Sequence, residues 1–194
     1  MRSVLPDSWD HNPVLVNSFI TAASPVSGTW VDCTFGSGGY SRALIEAGAA
    51  KVIAIDRDPD IYTNYVKIRD QFGGKVKLFK AKFSSLKNVV EENYGGKISG
   101  IVFDIGVSSM QIDKADRGFS FKRDGPLDMR MSREGTSAFD IVNEATEADL
   151  ADIIYFYGEE RAARKIAKLI VLERARQPIS TTFQLAEIIS RAVR

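Results

Sequence analysis

A chain of 194 residues with 44% apolar content is long enough for one domain plus a subdomain. Its 26 basic and 25 acidic residues exclude a polybasic, histone-like protein, while leaving room for a local basic face. One cysteine, Cys33, and one histidine, His11, exclude an intrachain disulfide and an ordinary Cys/His metal cluster, so no metal site is expected.

Residues 1–12 carry Asp7 and Asp10 and no apolar stretch, which fits neither a secretory signal nor an Arg-rich transit peptide. The longest apolar runs, such as Val52-Ile53-Ala54-Ile55, are too short to span a bilayer. A soluble, cytoplasmic protein with no membrane partner is expected. His11, placed before the first strand, reads as a capping or packing residue rather than a base.

In chain order, a first strand at 29–33 runs into Gly36-Ser37-Gly38-Gly39, and a helix follows over 41–47. A second strand at 51–55 ends in Asp56-Arg57-Asp58-Pro59. A helix over 61–72 stops at Gly73-Gly74, where two glycines cannot sustain it. A third strand at 76–79, a helix at 86–93 and a fourth strand at 98–104 complete the alternation. This rhythm means right-handed crossovers and a parallel sheet covered on both faces.

Beyond Met110 the character changes. Residues 113–135 have no clean period and read as a long ordered loop, the kind that is usually functional or disordered. Helices follow. Thr146 with Asp149 starts one that carries Leu150, Ile153, Ile154 and Tyr157 on one face and stops at Gly158. A second spans 159–175 with Ile166, Leu169 and Ile170 inward, and Thr181 with Gln184 caps a third carrying Leu185, Ile188 and Ile189. The expected architecture is α/β, a Rossmann-like core with the first half of its parallel sheet present, over residues 1–112. A loop and helical substrate-binding subdomain occupies 113–194. Four strands followed only by helices lead us to expect the N-terminal portion of a longer enzyme.

The glycine turn lets backbone pass close to a ligand at the next helix N-terminus. A dinucleotide fingerprint fails, because Ser41 stands where its third glycine would be. An acidic residue four positions ahead of Gly36 suits a methyltransferase better. Asp56 ends strand two, 20 residues after Gly36, where a carboxylate can accept both ribose hydroxyls of an adenosine. The fourth strand ends in Asp104-Ile105-Gly106-Val107-Ser108-Ser109, without the Asp/Asn-Pro-Pro-aromatic motif common in amino-group methyltransferases.

At this point the residues match a family. His11 to Leu15, the Asp32 to Arg42 turn, Ala54 to Pro59, Arg117 to Phe121, and Gly158 to Arg161 resemble the RsmH (MraW) family. Its most specific pieces here are Asp104-Ile105-Gly106-Val107-Ser108-Ser109-Met110-Gln111 and Asp124-Gly125-Pro126-Leu127-Asp128-Met129-Arg130-Met131. The resemblance implies a class I S-adenosylmethionine-dependent methyltransferase that acts on the N4 amine of a cytosine in small-subunit ribosomal RNA. Its partner would be that RNA or the assembled small subunit, and a homodimer is left open. The resemblance further implies that Gly38, Gly39 and Tyr40 contact the methionine end of the cofactor. Asp56 would hold the ribose, Phe83 would lie by the adenine, and Asp104 and Gln111 would close the pocket. Tyr40 is a departure, since the family usually has histidine there.

Chemistry at the exocyclic amine needs in-line positioning and an acceptor for the amine hydrogens, for which Asp104, Ser108 and Ser109 are candidates. Phe119 and Phe121 are candidates to receive an unstacked base, or else anchor the loop. Asp124 and Asp128 read as residues that pin that loop. Arg161, Arg164, Lys165 and Lys168 lie outside an apolar stripe and could contact phosphates. The alternatives are a S-adenosylmethionine enzyme for another RNA or a small molecule, and an inactive, truncated binding module.

Overall fold

The computed structural model describes residues 13–193. The readings made above for residues 1–12, His11 among them, lie outside the described residues. The chain divides into a first compact unit ending at Ser108 and a second beginning at Ser109.

The first unit runs α1 (Val16–Ala23), β1 (Thr29–Asp32), α2 (Gly39–Glu46), β2 (Lys51–Asp56), α3 (Tyr62–Gln71), β3 (Val76–Lys80), α4 (Leu86–Asn93) and β4 (Ile98–Val102). All pairings are parallel and the strand order is β3-β2-β1-β4. This is the Rossmann-like α/β arrangement, with the change of direction between β1 and β4. Crevices that bind ligands open at such a switch point, outside the carboxyl ends of the strands.

Burial follows from position in the sheet. Every residue of β1 is buried, as is the run Val52-Ile53-Ala54-Ile55 in β2, because helices cover both faces of a central parallel strand. Val31, Cys33, Ile53, Ile55 and Val89 form one core cluster, flanked by Phe79, Leu86 and Val90. Burial pushes the Cys33 thiol up to about 12, aided by the nearby Asp32 charge, so it is an inert core atom. β4 stops at Val102 rather than 104, because the chain then turns to tie itself to the first glycine loop. α2 starts at Gly39, two residues earlier than its apolar pattern suggests.

The second unit contains α5 (Ser109–Asp113), α6 (Ala138–Glu144), α7 (Glu147–Phe156), α8 (Ala163–Arg174) and α9 (Thr182–Val193). Its core joins Leu127, Val142, Leu150, Ile166, Ala167, Ile170, Ile179 and Ile188. Thr146 Oγ1 accepts the Asp149 N–H at the start of α7, and Thr181 does the same for Gln184 at α9. α8 begins at Ala163 instead of 159, because Glu159 takes a left-handed φ of 52° after Gly158 and breaks the helical path. The stripe read onto α7 holds at Leu150 and Ile154 only. Ile153 faces solvent within the helix, and Tyr157 does so because the helix ends at Phe156, before the seventh residue can turn inward.

The loop between α5 and α6 is ordered without a repeating pattern. Arg117 is buried and one guanidinium nitrogen donates to the carbonyls of Arg130 and Met131, at 3.0 Å each. Leu127 N–H donates to Ser180 O, and Thr182 N–H donates to Gly125 O. Asp124 accepts the Phe183 N–H, and Asp128 pairs with Arg130. These bonds pin the loop to the start of α9 and satisfy polar groups a buried irregular segment would otherwise strand.

Candidate active site

The first unit builds its site around the end of β1. Asp32 is 0% exposed. Its carboxylate accepts the Ser41 hydroxyl at 2.7 Å and the Thr34 N–H at 3.2 Å. Desolvation outweighs these bonds and pushes the Asp32 carboxyl up to about 6. The acidic residue ahead of the glycines therefore braces the turn from inside, with no surface for a ligand. Ser41, the residue that breaks the dinucleotide fingerprint, is its partner.

Gly38 sits in the left-handed region with φ 82°, and a Cβ there would strike Ile68 and come within 2.9 Å of Phe35. Only glycine fits both demands. No side chain at Gly38 caps α2, so the helix start presents its first N–H groups at the turn, suited to a carboxylate. The Tyr40 ring is buried edge-to-face against Phe19, at 5.4 Å between centroids. Burial raises its hydroxyl pKa, with the charges of Asp104 and Asp32 adding to the effect. The ring is committed to packing.

Asp56 joins β2 to the same turn. One carboxylate oxygen accepts the Gly36 N–H at 2.8 Å and the other accepts the Asp58 N–H at 2.9 Å. Each oxygen keeps a second lone pair for a further donor. The adjacent Asp58 is buried and accepts the Asp60 N–H, capping the short turn at Pro59–Ile61. Asp104 is exposed just beyond β4, and its N–H donates to Thr34 Oγ1 at 2.8 Å. That bond ties the tips of β1 and β4 and keeps the Asp104 carboxylate beside the glycine turn. Thr34 has no sequence signature for this role. Phe83, half exposed, opens the turn before α4 and meets Phe103 edge-to-face at 5.8 Å. Gly36, Gly38, Asp56, Asp104 and Phe83 thus lie on the carboxyl side of one sheet. Ser108, half-buried, ends the unit.

The remaining candidates belong to the second unit. Ser109 opens α5 and Gln111 is buried within it. Phe119 is half-buried with the Arg117 guanidinium over its ring at 5.8 Å, whereas Phe121 is 73% exposed. Arg161, in the turn before α8, is exposed, as are Arg164, Lys165 and Lys168, which lie opposite a buried stripe of Ala163, Ile166, Ala167 and Ile170 on α8. Among the described residues, none forms a metal-binding group and no helix is long and apolar enough to cross a membrane.

Comparison with known proteins adds lineage to this geometry. The MraW methylase family matches residues 8–194. Ribosomal RNA small subunit methyltransferase H of Cereibacter sphaeroides (strain ATCC 17025 / ATH 2.4.3) is 52% identical over 183 residues, covering 94% of this chain and 54% of that protein. The protein of the same name from Ruegeria sp. (strain TM1040) is 50% identical over 188 residues, covering 97% of this chain and 55% of that one. The chain thus spans about half the length of the curated relatives it matches. A crystal structure of an rRNA methylase from Streptococcus thermophilus aligns with 51% of this chain and 58% of its own, at 18% identity and a TM-score of 0.39, too loose a likeness to bear on the site. With its family matched from residue 8 onward and its relatives half identical to it, this chain belongs to the MraW methylase family.

Proposed function

We propose that this chain carries the S-adenosylmethionine site of an enzyme that methylates the exocyclic N4 amine of a cytosine in small-subunit ribosomal RNA. The observation that supports it most is the meeting of the glycine turn, Asp56 and Asp104 at the carboxyl ends of β1, β2 and β4. The donor set fits a methionine-bearing nucleoside. N–H groups of Gly39 and Tyr40 at the start of α2 suit a carboxylate, the free lone pairs of Asp56 suit a ribose diol, and Phe83 suits an adenine face. When bound, this cofactor supplies an electrophilic methyl group on a sulfonium.

The cytosine amine is a weak nucleophile, because its lone pair is conjugated with the ring. The Asp104 carboxylate, fixed through its backbone to Thr34, accepts an amine hydrogen as the nitrogen rehybridises, and Ser108 and Ser109 offer further acceptors. Gln111 is assigned to the cofactor by the family resemblance alone. Phe121 is free to receive an unstacked base, whereas Phe119 is held by Arg117. Arg161, Arg164, Lys165 and Lys168 engage RNA phosphates.

Calorimetric titration with S-adenosylmethionine and, separately, with NAD tests the cofactor class. Mass mapping of ribosomal RNA from cells lacking the protein tests the substrate, and one methyl should vanish from a small-subunit cytosine. In the complete enzyme, Asp104→Ala should lower turnover at least tenfold, in the range of a lost transition-state hydrogen bond. Full turnover in that variant would falsify the role given to Asp104.

A further inference from the structure

The C-terminal end of α7 exposes three consecutive aromatic residues. Tyr155 is 54% exposed, Phe156 69% and Tyr157 87%. Successive positions on a helix point about 100° apart, so three neighbours cannot share one buried face. The Tyr155 and Phe156 rings meet edge-to-face at 5.2 Å, which fixes them against each other rather than against the core. Tyr157, just past the last helical residue, leaves a third ring in solvent. Apolar surface gathered in this way marks an interaction site more often than chance.

The chain then turns at Gly158 and Glu159, and Arg161, Arg164, Lys165 and Lys168 follow at relative positions i, i+3, i+4 and i+7. Arg164, Lys165 and Lys168 share one exposed ridge of α8, and Arg161 lies in the turn just before the helix. Among the described residues none of these four forms an ion pair, although Arg133, Arg176 and Arg191 elsewhere in the unit do. Glu160, the nearest acid after Glu159, is engaged locally, its carboxylate accepting the Ala162 N–H at 2.7 Å. Like charges three and four residues apart repel, so an uncompensated basic ridge is stable at a cost that an anionic partner removes.

We propose that Tyr155, Phe156 and Tyr157 each offer an exposed ring on which an unpaired RNA base can stack, beside a phosphate-binding ridge on α8. Every base has a π face, so stacking holds single-stranded RNA with little sequence preference, and the cations follow its backbone. A duplex, whose bases are already stacked, cannot use the rings. The proposal rests on the RNA reading above and adds the kind of RNA recognised, a single-stranded stretch flanking the target. A protein segment covering the rings is the competing occupant, and the basic ridge beside them argues against it.

The test is fluorescence anisotropy of the full chain with a single-stranded RNA of roughly a dozen nucleotides, against a duplex of matching length, over a range of salt. The wild type should prefer the single strand. Replacing all three rings (Tyr155→Ala, Phe156→Ala, Tyr157→Ala) should weaken that binding by about tenfold or more while leaving the salt slope unchanged, because stacking releases no counterions. Should the triple variant fail to fold by circular dichroism, Tyr157→Ala alone, lying beyond the helix, carries the test with the same signature. Ultraviolet crosslinking should also place a nucleotide on one of the three rings. Wild-type affinity in the folded variant overturns the proposal and leaves the RNA reading standing. A fall in thermal midpoint with unchanged RNA affinity assigns the rings to a protein contact and overturns it as well. No binding of any RNA by the wild type defeats the RNA reading itself.

Discussion

Ser41 Oγ donates a 2.7 Å hydrogen bond to Asp32, a carboxylate with no surface in water. The bond joins the end of β1 to the first turn of α2 across the glycine loop. A buried charge in such a place is retained at the expense of stability.

The sign of that expense is fixed. Folding raises the Asp32 carboxyl from 3.8 to about 6, so the native state binds its proton more tightly than the unfolded chain. Stability from this group is therefore present at low pH and lost as pH rises from about 4 to about 6. Asp32→Asn keeps an acceptor for the Thr34 N–H and removes the charge. It should stabilise the protein at pH 7 by on the order of 1–3 kcal/mol, with the gain fading below about pH 4. Urea unfolding across that pH range checks this, and parallel curves for the two proteins would sink it.

Asp56 braces the Gly36 N–H while facing the crevice, so its replacement should be felt in ligand binding. Asn in its place offers one acceptor oxygen where two backbone N–H groups now point. S-adenosylmethionine affinity should fall by roughly 10- to 100-fold, the range for one or two lost hydrogen bonds to a charged group. Titration calorimetry decides, and unchanged affinity would remove Asp56 from the ribose site.

Gly38 combines a positive φ with a crowded Cβ direction. Gly38→Ala should cost about 1–2 kcal/mol for the backbone alone, and more for the contact with Ile68 and Phe35. A thermal melt of the variant should show a clear loss, and a midpoint equal to wild type would mean the turn can open without penalty.

On α8, Arg164→Glu, Lys165→Glu and Lys168→Glu together should weaken RNA binding and flatten its salt dependence. Each lost phosphate contact reduces the slope by about 0.7 for a single strand. Cofactor titration should be unaffected, because none of these three residues is assigned to the cofactor. A salt slope equal to wild type would take α8 out of the interface.

The parallel sheet was legible because the central strands read as apolar runs, with Asp32 and Asp56 closing β1 and β2 and Asp104 standing two residues beyond β4. Asp56 and Asp104 could be named from spacing and resemblance. The work of Thr34 could not, since a hydroxyl that ties two strand tips leaves no pattern. α1 lies ahead of the first strand and α6 directly after the long loop, so the strand–helix alternation flags neither. The Ser137 and Asp140 pair was the available signal for α6, a capping box followed by Ile141 and Val142. The spacing of Tyr157 to Leu150 predicts an inward ring, and the helix end displaces it. Periodicity presumes that the helix continues, and termination is a backbone event at Gly158 and Glu159.

The clasp between residues 125–127 and 180–182 also orders events in time. A ribosome making this chain releases Arg117 and Asp124 long before Ser180 and Phe183. Until those later residues emerge, Leu127 has no Ser180 carbonyl to hold it, and Asp124 has no Phe183 amide. Residues 124–127 can take up these bonds only after the start of α9 has been synthesised, so their order depends on sequence more than fifty positions downstream.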